Sequence, residues 1–114
     1  MPELKWGPNL QLGVPSMDEQ HQQLIAAMQE VQRLDGARAP VEQIGRALEE
    51  LVRLTRAHFA DEEAFMASIG YADRHRHAAI HVDLVHTLDD YVAQFRGGNG
   101  RLPDGFVRFL VYWL

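Results

Sequence analysis

The chain has 114 residues, no cysteine, 46% hydrophobic residues and a net charge of −5, which predicts a single domain spanning 1–114 and excludes disulfides, thiolate metal sites and a nucleophilic Cys. Asp and Glu number 16 against 11 Lys and Arg, so the clustered basic surface that a phosphate backbone demands is missing and nucleic acid is excluded as a partner. The longest apolar run, Phe109 to Leu114, has six residues, against the roughly 18–20 of a membrane span, and MPELKWG holds no apolar signal core; the expectation is a cytoplasmic protein with no membrane partner.

Gly, Pro, Asn and Asp gather at 7–16, 35–40, 70–73 and 97–105, and the stretches between them repeat at helical spacing. After an amino-terminal arm over 1–16, Ser16 and Glu19 resemble a capping box, so the first helix is predicted over about 17–34, stopped by Asp35-Gly36. Its apolar positions are Met17, Leu24, Ile25, Met28 and Val31. The second helix is predicted over 40–69, opening at Pro40 and ending at Gly70. Val41, Ile44, Leu48, Leu51, Val52, Phe59, Phe65, Met66 and Ile69 make its stripe. Asp73 is the expected cap of a third helix over 73–96, with Ile80, Leu84, Val85, Leu88, Val92 and Phe95 inward. A fourth opens at Pro103 and runs over 103–114 with Phe106, Phe109, Leu110 and Trp113. No stretch alternates with period two and the loops are short, which predicts an all-α, up-down-up-down four-helix bundle. The fourth helix is short and breaks off in FLVYWL without a Gly, a basic last turn or a cap.

Polar residues standing on the apolar stripes are the informative ones. They are His21 on the first helix, His58 and Glu62 on the second, and His77 and His81 on the third. Residues four apart on a helix lie on one face about 5–6 Å apart, so each pair can share an ion. His75 and His86 fall off the stripe and are expected in solvent, and Glu63 is expected to turn outward beside Glu62. The inward set is therefore a selection and not a consequence of a histidine-rich composition.

A lone His on an apolar face is more often a hydrogen-bonded core residue, and one HxxxE or HxxxH pair is a weak signal. Together, however, a buried carboxylate and several imidazoles without partners would cost several kcal/mol, against a domain stability of about 5–15 kcal/mol. A cation is expected to offset that. Imidazole with carboxylate suits iron, zinc, copper or nickel, whereas calcium and magnesium sites use oxygen alone. A carboxylate among histidines on several bundle helices suits two metals, though spacing does not separate one from two.

These motifs resemble the hemerythrins, most closely the small bacterial single-domain kind, the bacteriohemerythrins. Trp6 and LGVPSMDEQHQQL, from Leu12 to Leu24, look like the family's amino-terminal arm and first ligand segment. HFADEEAFM, from His58 to Met66, matches its HFxxEExxM motif, and GYADRHRHAAIH, from Gly70 to His81, is similar to its third segment. The resemblance covers essentially the whole chain and implies two oxo- or hydroxo-bridged non-haem iron ions. His21 and His58 would bind one, His77 and His81 the other, and Glu62 would bridge them. It implies reversible dioxygen binding for storage, transport or sensing, with no enzymatic turnover. Leu24, Ile25, Phe59 and Trp113 are the candidate lining of a dry dioxygen pocket, and each is equally an ordinary core position.

Family members continue beyond the equivalent of Trp113-Leu114 to a further ligand His and a bridging Asp, so five of seven expected ligands stand in this chain. Ala72, where the family often has Pro, touches only the turn. Three explanations compete: loss of the chain's end, which is favoured; a shortened protein with an altered site holding one iron, or two held weakly; or completion by a second chain. A monomer is expected, with a dimer if the blunt helix end is real. The missing ligands also motivate an alternative function, an iron-handling or regulatory metal-binding module. A third reading, oxidase or peroxidase activity, follows if the pocket admits reductants and protons.

Overall fold

The computed structural model describes the backbone of residues 15–113 and the side chains of residues 18–112. Four helices follow in chain order, α1 (Pro15–Gly36), α2 (Val41–Ser68), α3 (Arg74–Arg96) and α4 (Phe106–Trp113), and the described residues hold no strand. The expected arm with Trp6, the stripe residue Met17 and the pocket candidate Trp113 lie outside the described side chains.

Cross-helix pairs fix the directions. Gln20 bonds to Asp61 and the His21 ring stacks on His58, so the start of α1 meets the end of α2. Along α2, Glu49, Arg56 and Glu62 meet Arg96, Asp89 and His81 of α3 in reversed order. Both neighbouring pairs are therefore antiparallel, as short connections require. On α4, Phe106 and Phe109 pack against Tyr91 of α3, each with ring centroids 5.4 Å away.

Apolar positions three, four and seven apart put Leu24, Ile25, Met28 and Val31 of α1 on one face. They join Ile44, Leu48 and Leu51 of α2, Leu88, Val92 and Phe95 of α3, and Phe106 and Leu110 of α4 in one buried cluster. Three residues expected on the inward stripes are instead exposed: Val41 (46%), Ile69 (60%) and Ile80 (43%). Val41 begins α2 and Ile69 lies just past its end, so each stands at the margin of the bundle, where burial is incomplete. Ile80 sits on α3 about three turns before Tyr91, where α4 makes its ring contacts.

The helix ends depart from expectation for local reasons. Asp35-Gly36 does not stop α1 at Leu34; the helix runs on to Gly36 and is closed by Arg38, whose φ of 54° makes it the left-handed residue. Ala39 N–H then reaches back to Leu34 C=O at 2.9 Å. Asp35, largely buried, accepts from Leu102 N–H and from Arg101 Nε, both at 3.0 Å. That carboxylate thereby clasps the end of α1 to the loop before α4. Pro103 does not open α4, because Gly105 holds φ +85° and the helix begins after it, at Phe106. A Cβ on Gly105 would also come within 3.3 Å of the Tyr91 hydroxyl. Gly70, with φ +66°, ends α2 beside a bond from Tyr71 N–H to Met66 C=O of 2.9 Å. Asp73 precedes α3 as expected, but its side chain makes no capping bond.

Candidate metal centre

Four of the five polar residues that the stripes placed inward, His21, His58, Glu62 and His81, gather at the end of the bundle where α1 starts, α2 finishes and α3 starts. His21, His58 and His81 are all buried, at 7%, 4% and 6% exposure. Glu62 sits between two of them, with one carboxylate oxygen 3.2 Å from His58 Nε2 and the other 3.2 Å from His81 Nε2. Its two oxygens are thus each committed to a different imidazole, on two different helices. The His21 ring lies nearly parallel to His58, centroids 5.7 Å apart.

The far side of each central ring is also engaged. His58 Nδ1 lies 3.1 Å from Gln20 Oε1, and the Gln20 amide N–H in turn donates to Asp61. His81 Nδ1 lies 3.2 Å from Glu63 Oε2. Glu63 is therefore not the outward residue its place beside Glu62 predicted. The antiparallel register brings α3 against this edge of α2, so 62 and 63 flank the same imidazole. Phe59 completes the enclosure by stacking on His81 with centroids 3.9 Å apart and ring planes 3° from parallel.

Electrostatics follow from these contacts. The hydrogen bond from His58, then that from His81, favour the ionised form of Glu62 and hold its pKa down to about 2 against the opposing effect of burial. Burial disfavours the charged form of His81, but the bonds to Glu62 and Glu63 and their negative charges outweigh it, and its pKa lies above the ordinary value.

His77 does not join this group. Its ring rests against Tyr71, centroids 5.5 Å apart and planes at 52°, and it is only half-buried. His75 and His86 are exposed. Of the candidate pocket residues, Leu24, Ile25 and Phe59 are buried. Leu24 and Ile25 belong to the main apolar cluster, whereas Phe59 lies against the histidines. A cleft of about 350 Å³ between α2 and α3, lined by Phe59, Glu63, His81, Val85 and His86 among others, opens beside His81.

Among the described residues, no three of His, Asp and Glu form a group that could hold a metal ion as they stand. The reason is visible in the distances: both imidazoles face the Glu62 carboxylate itself, hydrogen-bonded to it and not arranged about a common point. The donor types nonetheless fit iron, which accepts imidazole and carboxylate ligands without thiolate. The engagement of each Nδ1 by an oxygen is the support that a metal-ligating histidine ordinarily has, leaving Nε2 for the ion.

Sequence reasoning missed Gln20 and Glu63. Both directly adjoin a candidate ligand, so a search for oxygen acceptors one residue from each His or Glu would have raised them. Only the packing of α1 and α3 on α2 says which ring each one meets.

Comparison with known proteins identifies the family. The family model described as the hemerythrin HHE cation binding domain matches residues 12–114. A bacteriohemerythrin of Pseudomonas aeruginosa (strain UCBPP-PA14) is 30% identical over 116 residues, covering 100% of this chain and 73% of that protein. One from Stenotrophomonas maltophilia (strain R551-3) is 29% identical over 97% of this chain and 71% of its own length. A myohemerythrin of Riftia pachyptila is 29% identical over 96% of this chain and 79% of its own. With its four-helix architecture and a family match over nearly its whole length, the chain belongs to the hemerythrin family.

Proposed function

We propose that this protein binds dioxygen reversibly at a non-haem di-iron centre held by His21, His58, Glu62, His77 and His81. One observation carries the reading: Glu62 directs one oxygen to a ring nitrogen of α2 and the other to a ring nitrogen of α3, the disposition a bridging carboxylate needs. Family membership and relatives named for hemerythrin support it. Iron bound there would supply the electrons and the open coordination position that dioxygen requires.

The chain's own residues have defined tasks. His58 and His81 present Nε2 with Nδ1 engaged by Gln20 and Glu63, which fixes ring orientation before any ion arrives. His77 is four residues before His81 on the same face of α3 and would leave Tyr71 to take part. Leu24, Ile25 and Phe59 exclude water from the inner side of the site. The outcome is binding and release, without turnover.

The test is to load the protein with ferrous iron under anaerobic conditions and then admit dioxygen. A visible charge-transfer band that appears with dioxygen and disappears on its removal is expected. Two ferrous ions taken up with no such band would overturn dioxygen binding. A second reading, an iron-handling or regulatory module, is favoured by one observation, that His77 stands apart against Tyr71. Under it, one iron per chain would bind, and dioxygen would leave the spectrum unchanged.

A further inference from the structure

Histidine can ligate through either ring nitrogen, and a buried ring must be told which one to offer. In this site His58 and His81 are told by different means. The Nδ1 of His58 faces a neutral amide oxygen of Gln20, reached from α1. The Nδ1 of His81 faces a carboxylate, Glu63, from the same turn of α2 that carries Glu62. Phe59, also on α2, lies flat on the His81 ring and sets its plane, while leaving open which nitrogen points inward.

Resting on the di-iron reading, we infer that Glu63 is the positioning residue of the centre. It accepts Nδ1–H of His81, fixes the tautomer that directs Nε2 at the Glu62 side, and makes this ring the stronger donor of the two. A carboxylate acceptor forms a stronger hydrogen bond than an amide and enriches the ring it holds. The arrangement is anchored from one helix, because Phe59, Glu62 and Glu63 all belong to α2 and all touch the one α3 imidazole. The Glu63 side chain is 39% exposed, at the edge of the cleft between α2 and α3. Replacing it therefore leaves the apolar core intact.

The experiment uses the full chain with zinc as a diamagnetic probe, reading affinity by competition with a chromophoric chelator and the His81 tautomer by long-range ¹H–¹⁵N NMR. In the wild type, His81 should carry its proton on Nδ1 and its metal on Nε2. Glu63→Leu should weaken zinc binding about 10–100-fold, the usual cost of losing such a partner, and should shift the His81 ring signals. Glu63→Gln keeps an acceptor oxygen and should recover most of the affinity with the wild-type tautomer. His86→Ala, on the same cleft, should bind like the wild type. Wild-type affinity in Glu63→Leu with unchanged ring signals overturns the inference alone, as does a Gln variant no better than the Leu variant. A wild-type chain that takes up no zinc overturns the inference and the metal reading together.

Discussion

The two ends of the bundle are built on opposite principles. At one end Val31, Ile44, Leu48, Phe95, Phe106 and Leu110 close an apolar core, with the Asp35 carboxylate clasping the loop at its margin. At the other, His21, His58 and His81 are also buried, though slightly less completely, and His58 and His81 meet a carboxylate and an aromatic face. The apolar end is held by the loss of water from its surface and asks for nothing further. The polar end is satisfied only by exact pairings, where each partner removed strands another. Stability is thus concentrated at one end and chemistry at the other, with α4 bracing the stable end through Phe106 and Leu110.

The sharpest way to break the comparison is to damage each end in turn. Phe106→Ala removes a fully buried ring and should destabilise the metal-free protein by about 3–5 kcal/mol, seen as a lowered midpoint in chemical denaturation. Its metal content should be unaffected wherever it remains folded. Glu62→Ala should do the reverse: a smaller loss in the metal-free protein, about 1–3 kcal/mol, with metal uptake abolished in a chelator competition. His75→Ala and His86→Ala should change neither quantity. Equal metal loss in all these variants would show that the two ends are not separate.

Acidity sharpens the contrast further. In the metal-free chain Glu62 is held to about pKa 2, below its ordinary 4.5, so its stabilisation is complete above pH 4.5 and is lost as the pH falls through the folded value. His81 is raised above its ordinary 6.5, so its contribution is complete below pH 6.5 and fades as the pH rises through the folded value. The metal-free protein should therefore lose stability from mild acid toward alkaline pH. Metal binding needs neutral imidazoles, so the stabilisation that metal adds should grow over the same interval. Thermal melts across pH 5–8, with and without metal, should show slopes of opposite sign, and parallel slopes would refute the polar end as a metal site. The smallest expected effect lies at a joint outside both ends. Arg38→Gly relieves a left-handed φ of 54° and should stabilise by about 0.5–1 kcal/mol in denaturant titration, without touching metal affinity.

The helices and most of the core were legible because burial on a helix leaves a periodic trace that one sequence is enough to read. His21, His58, Glu62 and His81 were legible for a related reason, as polar residues violating that trace. Glu63 escaped because periodicity assigns a residue to a face of its own helix. Glu63 is engaged at the edge of that face by an imidazole from α3, and only helix-to-helix register says so. Ile80 failed in the opposite sense, being apolar at the correct spacing but 43% exposed. Arg38 escaped too, because Gly36 advertises the left-handed position two residues early.

The Asp35 clasp also bears on the order in which the chain assembles. Contacts between α1 and α2, and between α2 and α3, close through short connections, but the Asp35 bond to Leu102 N–H spans 67 residues. Closing a loop of that size costs roughly 3–4 kcal/mol of chain entropy, so the bond cannot form early by itself. It becomes favourable once the first three helices have brought the two ends close and Phe106 and Leu110 can be buried in the same step. The last helix should therefore dock late, as one cooperative event, and be the first element to leave when the protein is stressed.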